Sequence, residues 1–233
     1  MKRLAIFVEG QTEKIFVRKL LEEIAGKSNI AIIEQDIAGR QGSRITVLKM
    51  SDPVTSQTKY YVLVYNSGGD SSVVSDIKDQ YNNLVASGYS KVIGIRDVYP
   101  IPSTQTNALE NGLQYALPKG TVPAHIILAV MEIESWFIAE WKHFAKINPN
   151  LTTALIQTTL GFNPEIDDVE RRTHPAEDLH QIYQLVGRAY RKRRSQVNTI
   201  VSNLDYEFLY LQVVNTVPSL RKFIGHINAF MIP

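Results

Sequence analysis

Leu4-Ala5-Ile6-Phe7-Val8-Glu9-Gly10-Gln11-Thr12-Glu13 runs from an apolar strand, through a glycine, into an amphipathic helix. A parallel strand buried on both faces reads as an unbroken apolar run instead of an alternation, and Leu4 to Val8 has that character. Gly10 permits a sharp exit from the strand. Thr12 suits an N-cap, and Glu13 suits the positive end of the helix dipole. Phe16, Val17, Leu20, Leu21 and Ile24 then recur at helical spacing. Glu9 is thereby set at the carboxyl end of a strand, where open α/β sheets place their sites.

Working outward, a second short strand is expected over 30–34. Residues 36–50 read as a loop, with a short helix after Ser43. Tyr60-Tyr61-Val62-Leu63-Val64-Tyr65 is a strong strand signal, broken by Asn66-Ser67-Gly68-Gly69-Asp70-Ser71-Ser72. Val73, Val74, Ile77, Tyr81 and Leu84 mark the helix that follows. Strands are expected over 92–95 and 125–130, with a helix over 106–116 between them. Strands alternating with helices to about residue 145 argue for a mostly parallel sheet with helices on both faces. After Asn148-Pro149-Asn150 the pattern is helical, over 151–160, 175–194, 198–214 and 217–230. The expected organisation is an α/β domain over 1–145 and a helical C-terminal region over 146–233 packed on it.

Composition sets outer limits. Of 233 residues, 44% are hydrophobic and 21% charged, the balance of a globular protein. The apolar run after Met1-Lys2-Arg3 stops at Glu9, too short for the core of a signal peptide, and no run nears the ~20 residues of a membrane helix. A cytoplasmic protein without membrane association is the expectation. With no cysteine, thiolate metal sites, disulfides and cysteine nucleophiles are excluded. The five histidines lack ligand spacing and read as structural or exposed. A net charge of +2 leaves any affinity for nucleic acid to local patches.

Three carboxylates share one kind of place. Glu9, Asp97 and Glu132 each end an expected strand, so parallel neighbours would gather them on one edge of the sheet. Such clusters hold Mg²⁺ or Mn²⁺, which take oxygen ligands and leave positions for phosphate and water. Glu134 is a fourth candidate. On a helix, Glu132 and Glu134 point nearly oppositely; on an extended strand they share a face. Both stay open.

Val8-Glu9-Gly10-Gln11-Thr12-Glu13, between its strand and its helix, resembles the glutamate motif of the Toprim fold. That fold is shared by topoisomerases, bacterial primases and OLD-family nucleases. The chain is more closely similar to a family of small Toprim-like proteins of unknown function, number 4276 in its series. The likeness rests also on a strand ending in Asp97, on Glu132-Ile133-Glu134-Ser135-Trp136-Phe137 and, more weakly, on His174-Pro175-Ala176-Glu177. The resemblance implies a Toprim-like α/β fold and divalent-metal-dependent cleavage of DNA or RNA. It implies that Glu9 is an acid/base or metal ligand, that Glu13 one turn on also reaches metal, and that Asp97 is the first aspartate of an Asp-x-Asp motif. The second aspartate is replaced by Tyr99, so a two-metal site needs an oxygen from Glu132 or Glu134. The other readings are a degenerate nucleic-acid or nucleotide-binding module, favoured by Tyr99, and a primase-type transferase, for which template-binding elements are missing.

Arg188-Ala189-Tyr190-Arg191-Lys192-Arg193-Arg194 is the most basic segment and contains no acid. Its basic residues suit phosphate contacts, and Tyr190 suits stacking on a base. A solvated helix end is the plainer reading. Arg40 and Arg44 are further candidates for gripping nucleic acid. Gly68-Gly69 offers backbone amides to a phosphate, but no P-loop Gly-Lys-Ser/Thr follows. Trp136 and Phe137 read as core anchors.

Overall fold

A computed structural model describes residues 1–39, 45–69 and 72–232. Its centre is a six-stranded sheet in the order β3-β2-β4-β1-β5-β6. The strands are β1 (Lys2–Val8), β2 (Ile30–Ala38), β3 (Ile45–Ser51), β4 (Tyr60–Asn66), β5 (Lys91–Asp97) and β6 (Ala124–Ala129). β1 pairs in parallel with β4 and with β5, β2 pairs in parallel with β4, and β3 lies antiparallel on β2. The class is α/β with a mostly parallel sheet. Leu4, Ala5, Ile6, Phe7 and Val8 are all fully buried, which is why β1 carries no polar alternation.

The chain divides into two compact units. The first comprises Met1–Arg96, Asn107–Leu128 and Gly225–Pro233. In it α1 (Gln11–Ala25) buries Phe16, Val17, Leu20 and Leu21, and α2 (Val73–Ala86) buries Val73, Ile77, Tyr81 and Leu84. α3 (Thr106–Ala116) falls where its sequence pattern puts it. The start of α1 differs from expectation. Gly10, not Thr12, is the N-cap, because the Glu13 carboxylate folds back to accept the Gly10 N–H at 2.8 Å. That contact satisfies one of the donors that a helix start leaves unpaired.

The second unit comprises Asp97–Thr106 and Ala129–Ile224. It contains the short helices α4 (Glu134–Ala139) and α5 (Lys142–Ile147), then α6 (Thr153–Leu160), α7 (Pro175–Gln184) and α8 (Arg194–Asn203). A π turn (Leu209–Val213) joins α9 (Tyr206–Phe208) to α10 (Val214–Thr216), and the last helix, α11 (Pro218–Met231), begins in this unit and passes into the first at Gly225. Trp136 and Phe137 are fully buried anchors. The Trp136 indole donates to Ser219 Oγ at 2.7 Å and stacks on Phe223, with ring centroids 6.0 Å apart.

Three expectations are corrected. Residues 45–51 form β3, not a loop or helix. Most of that strand is exposed, so its side chains show no buried face to read. The helix expected over 175–194 stops at Gln184, and Gly187 then takes a left-handed φ of 69°. The helix expected over 198–214 is two pieces broken at Leu204-Asp205, where Asp205 caps the second by accepting the Phe208 N–H at 2.9 Å.

Candidate metal centre

Asp97, Glu132 and Glu134 form one group in the second unit: an oxygen from each lies within 4.8 Å of the others. Backbone bonds set their positions. After Asp97, the Val98 N–H donates to Ala129 O at 3.0 Å and the Tyr99 N–H to Met131 O at 2.8 Å. Met131 then takes a left-handed φ of 58°, and the Glu132 N–H donates to Val130 O at 2.9 Å, turning the chain sharply. Neither the strand nor the helix alternative for Glu132 and Glu134 holds. The strand ends at Ala129 and α4 begins at Glu134, so the turn between them aims both carboxylates at one point.

Each carboxylate is held. Asp97 Oδ1 accepts the Ile133 N–H at 3.0 Å. Glu132 Oε2 accepts the Ala176 N–H at 2.8 Å, in the first turn of α7, where amides point outward and the dipole favours an anion. Glu134 Oε1 accepts the Tyr190 hydroxyl at 2.7 Å. Lys192 Nζ stands 3.0 Å from Glu132 Oε1 and 3.2 Å from Glu134 Oε2. Glu134 is fully buried, and its Oε2, though ion-paired, accepts no hydrogen bond. Burial pushes the Glu134 carboxyl above its usual range and Glu132 adds to that, against the pull of Lys192 and Tyr190. Burial disfavours the Lys192 charge, but Glu134, Asp97 and Glu132 outweigh it and hold the ammonium above its usual range. The cluster is compact, acidic and all oxygen, the donor set that suits Mg²⁺, Mn²⁺ or Ca²⁺.

The remaining sequence candidates are placed as follows. Glu9 follows β1 in the first unit, and Glu13 is buried there as the cap of α1. Tyr99 is 42% exposed and meets His174 edge to face, with centroids 5.4 Å apart. Arg188, Arg191 and Arg193 lie exposed between helices, and Arg194 opens α8. Tyr190 is corrected: at 2% exposure it is buried against Glu134, not a surface ring ready to stack. Lys192 donates to Glu132 at 3.0 Å and the Ala176 amide to the same carboxylate, and neither is marked in the sequence: a lysine among arginines carries no signal of a partner 60 residues away. His180, also buried, accepts the Tyr190 N–H at Nδ1. Arg40, Arg44, Asp70 and Ser71 lie outside the described residues. Among the described residues no helix is long and apolar enough to cross a membrane.

Fold and centre together define an α/β protein with a buried acidic group able to take a metal ion. The family model for a domain of unknown function, DUF4276, matches residues 8–228, and the chain belongs to that family. Among solved structures, the hypothetical protein PH0156 from Pyrococcus horikoshii OT3 aligns at 13% identity and a TM-score of 0.47, over 97% of this chain and 100% of that one. No curated protein matches.

Proposed function

We propose that the protein is a divalent-metal-dependent nuclease whose ion is held by Asp97, Glu132 and Glu134. One observation carries the reading: three carboxylates converge within 4.8 Å, one of them fully buried with an oxygen that accepts no hydrogen bond. Like charges so placed repel unless cations balance them; the Lys192 ammonium offsets part of that charge, and a divalent ion would offset more. A bound Mg²⁺ or Mn²⁺ would polarise a phosphate oxygen and lower the pKa of a ligated water.

The chain's own residues have distinct parts in this reading. The Ala176 and Ile133 amides fix Glu132 and Asp97, and Tyr190 fixes Glu134, so ligands are oriented by a surrounding shell of donors. Arg188, Arg191, Arg193 and Arg194 are exposed and supply charge for a nucleic-acid backbone. Arg40 and Arg44 are assigned to the same task. The likeness of the opening motif to Toprim proteins supports phosphodiester chemistry, and it assigns Glu9 a proton-transfer part. Glu13, already engaged as a helix cap, is assigned a structural part with no direct metal contact.

The test is cleavage of single- and double-stranded DNA and RNA with Mn²⁺ or with chelator. Asp97→Asn and Glu134→Gln should each lower the rate about 100-fold or more, in the upper range for disturbed metal sites. Glu9→Ala should slow cleavage while Mn²⁺ binding persists. No cleavage of any substrate, or equal cleavage by these variants, would sink the nuclease reading. Mn²⁺ and nucleic acid bound without cleavage would favour a binding module, the reading to which Tyr99 points.

A further inference from the structure

Lys192 is the one member of the basic run whose ammonium touches the carboxylates, 3.0 Å from Glu132 and 3.2 Å from Glu134. We propose that this ammonium fills the second cation position of the centre, so that the site takes one divalent ion and not two. The proposal rests on the metal reading above and specifies it.

Charge is the first argument. Once metal binding holds Asp97, Glu132 and Glu134 in their ionised forms, their three charges against the Lys192 ammonium suit one divalent ion better than two. Ligand supply is the next. A metal pair needs oxygens bridging ions roughly 3.5–4 Å apart. Here both oxygens of Glu132 already accept donors, as do Glu134 Oε1 and Asp97 Oδ1. Their remaining lone pairs suit one shared ion better than two.

Backbone geometry is the independent argument. Lys192 holds a φ of 52°, in the left-handed region that side chains other than glycine rarely adopt. Gln196, in the first turn of α8, braces that conformation from both sides. Its Oε1 accepts the N–H of Arg191 at 2.8 Å and of Arg193 at 3.4 Å, and its Nε2 donates to Ala189 O at 2.8 Å. A lysine that merely solvates a loop needs neither an uncommon backbone nor a clamp. Strain of this kind is kept where the surrounding structure over-determines a position, often at functional sites. An ammonium so placed neutralises anionic oxygens but ligates no water. A single ion held by Asp97, Glu132 and Glu134 would supply the activation of water, and Lys192 would offset charge that grows on the phosphate.

The experiment counts Mn²⁺ bound to the metal-stripped full chain by electron paramagnetic resonance and calorimetry. It compares wild type, Lys192→Met and Lys192→Arg, with circular dichroism melts to check folding. Wild type should bind one ion per chain. Lys192→Met removes a like charge from beside the ion, so affinity should rise roughly tenfold or more at low salt. Lys192→Arg should stay near wild type. Two ions in wild type, or unchanged affinity in Lys192→Met, overturn the proposal alone. No Mn²⁺ in either wild type or Lys192→Met removes the metal reading, and the proposal with it. Should Lys192→Met fail to fold, the wild-type count still decides.

Discussion

Tyr190 shows how a single residue escapes its neighbourhood. It sits among arginines and a lysine, a context of solvated phosphate grippers, yet its ring is buried and its hydroxyl reaches Glu134 at 2.7 Å. The only hint in the sequence is an aromatic among charges. Its backbone is tied inward too, through the N–H given to His180. Removing the hydroxyl leaves the ring's volume in place and takes a donor from a fully buried carboxylate. Tyr190→Phe should therefore cost about 1–3 kcal/mol, the usual penalty for an abandoned buried acceptor. Urea unfolding of the metal-free chain reads this directly. A change below about 0.3 kcal/mol would show that Lys192 alone satisfies Glu134.

Two glycines set opposite demands at the scale of elements. Gly94, in the middle of β5, has no space beside it: a Cβ there would lie 2.7 Å from Ile126 Cδ1, 2.9 Å from Ile77 Cδ1 and 3.0 Å from Val73 Cγ1. Three branched side chains from a strand and a helix meet over that one position. Gly94→Ala should destabilise by about 1–3 kcal/mol, the range for overpacked cores. Gly112, inside α3, has nothing within 4 Å of its Cβ position. Gly112→Ala should instead stabilise by up to about 1 kcal/mol, through helix propensity. Paired denaturation curves test both; equal shifts of one sign would contradict the packing argument. The same contrast explains what the sequence makes legible. β1, β4, α1 and α2 bury one face or two, so their apolar spacing writes the element into the residues. β3 buries almost nothing, and α7 ends at turns that no proline or helix-stopping run announces before Gly187. The site divides likewise. Asp97 and Glu132 were legible as residues at expected strand ends, and Glu134 as a further candidate beside them. Their convergence was not, because it depends on the left-handed turn at Met131 and on partners 36 to 60 residues away.

For the whole molecule, the division into two units becomes measurable through the metal. Asp97, Glu132, Glu134, Tyr190 and Lys192 all belong to the second unit, whereas Glu9 belongs to the first. An ion that binds only the folded state stabilises it by RT ln(1 + [L]/Kd), about 2.7 kcal/mol at a hundredfold excess over Kd. In a chain of this size each kcal/mol moves the midpoint by about 2–4 °C. Saturating Mn²⁺ should therefore raise a melting transition of the wild type by about 5–10 °C. If the units melt together, the single transition moves. If they melt apart, one moves and the other stays, and limited proteolysis along the melt identifies which sequence is protected. Protection should cover 129–224. Asp97→Asn and Glu134→Gln should lose the shift, and Glu9→Ala should keep it, since Asp97, Glu132 and Glu134 already form a group able to hold an ion. A shift that vanishes in Glu9→Ala would make β1 a source of metal ligands and leave proton transfer to another group. No shift in the wild type would count against a divalent ion at this centre.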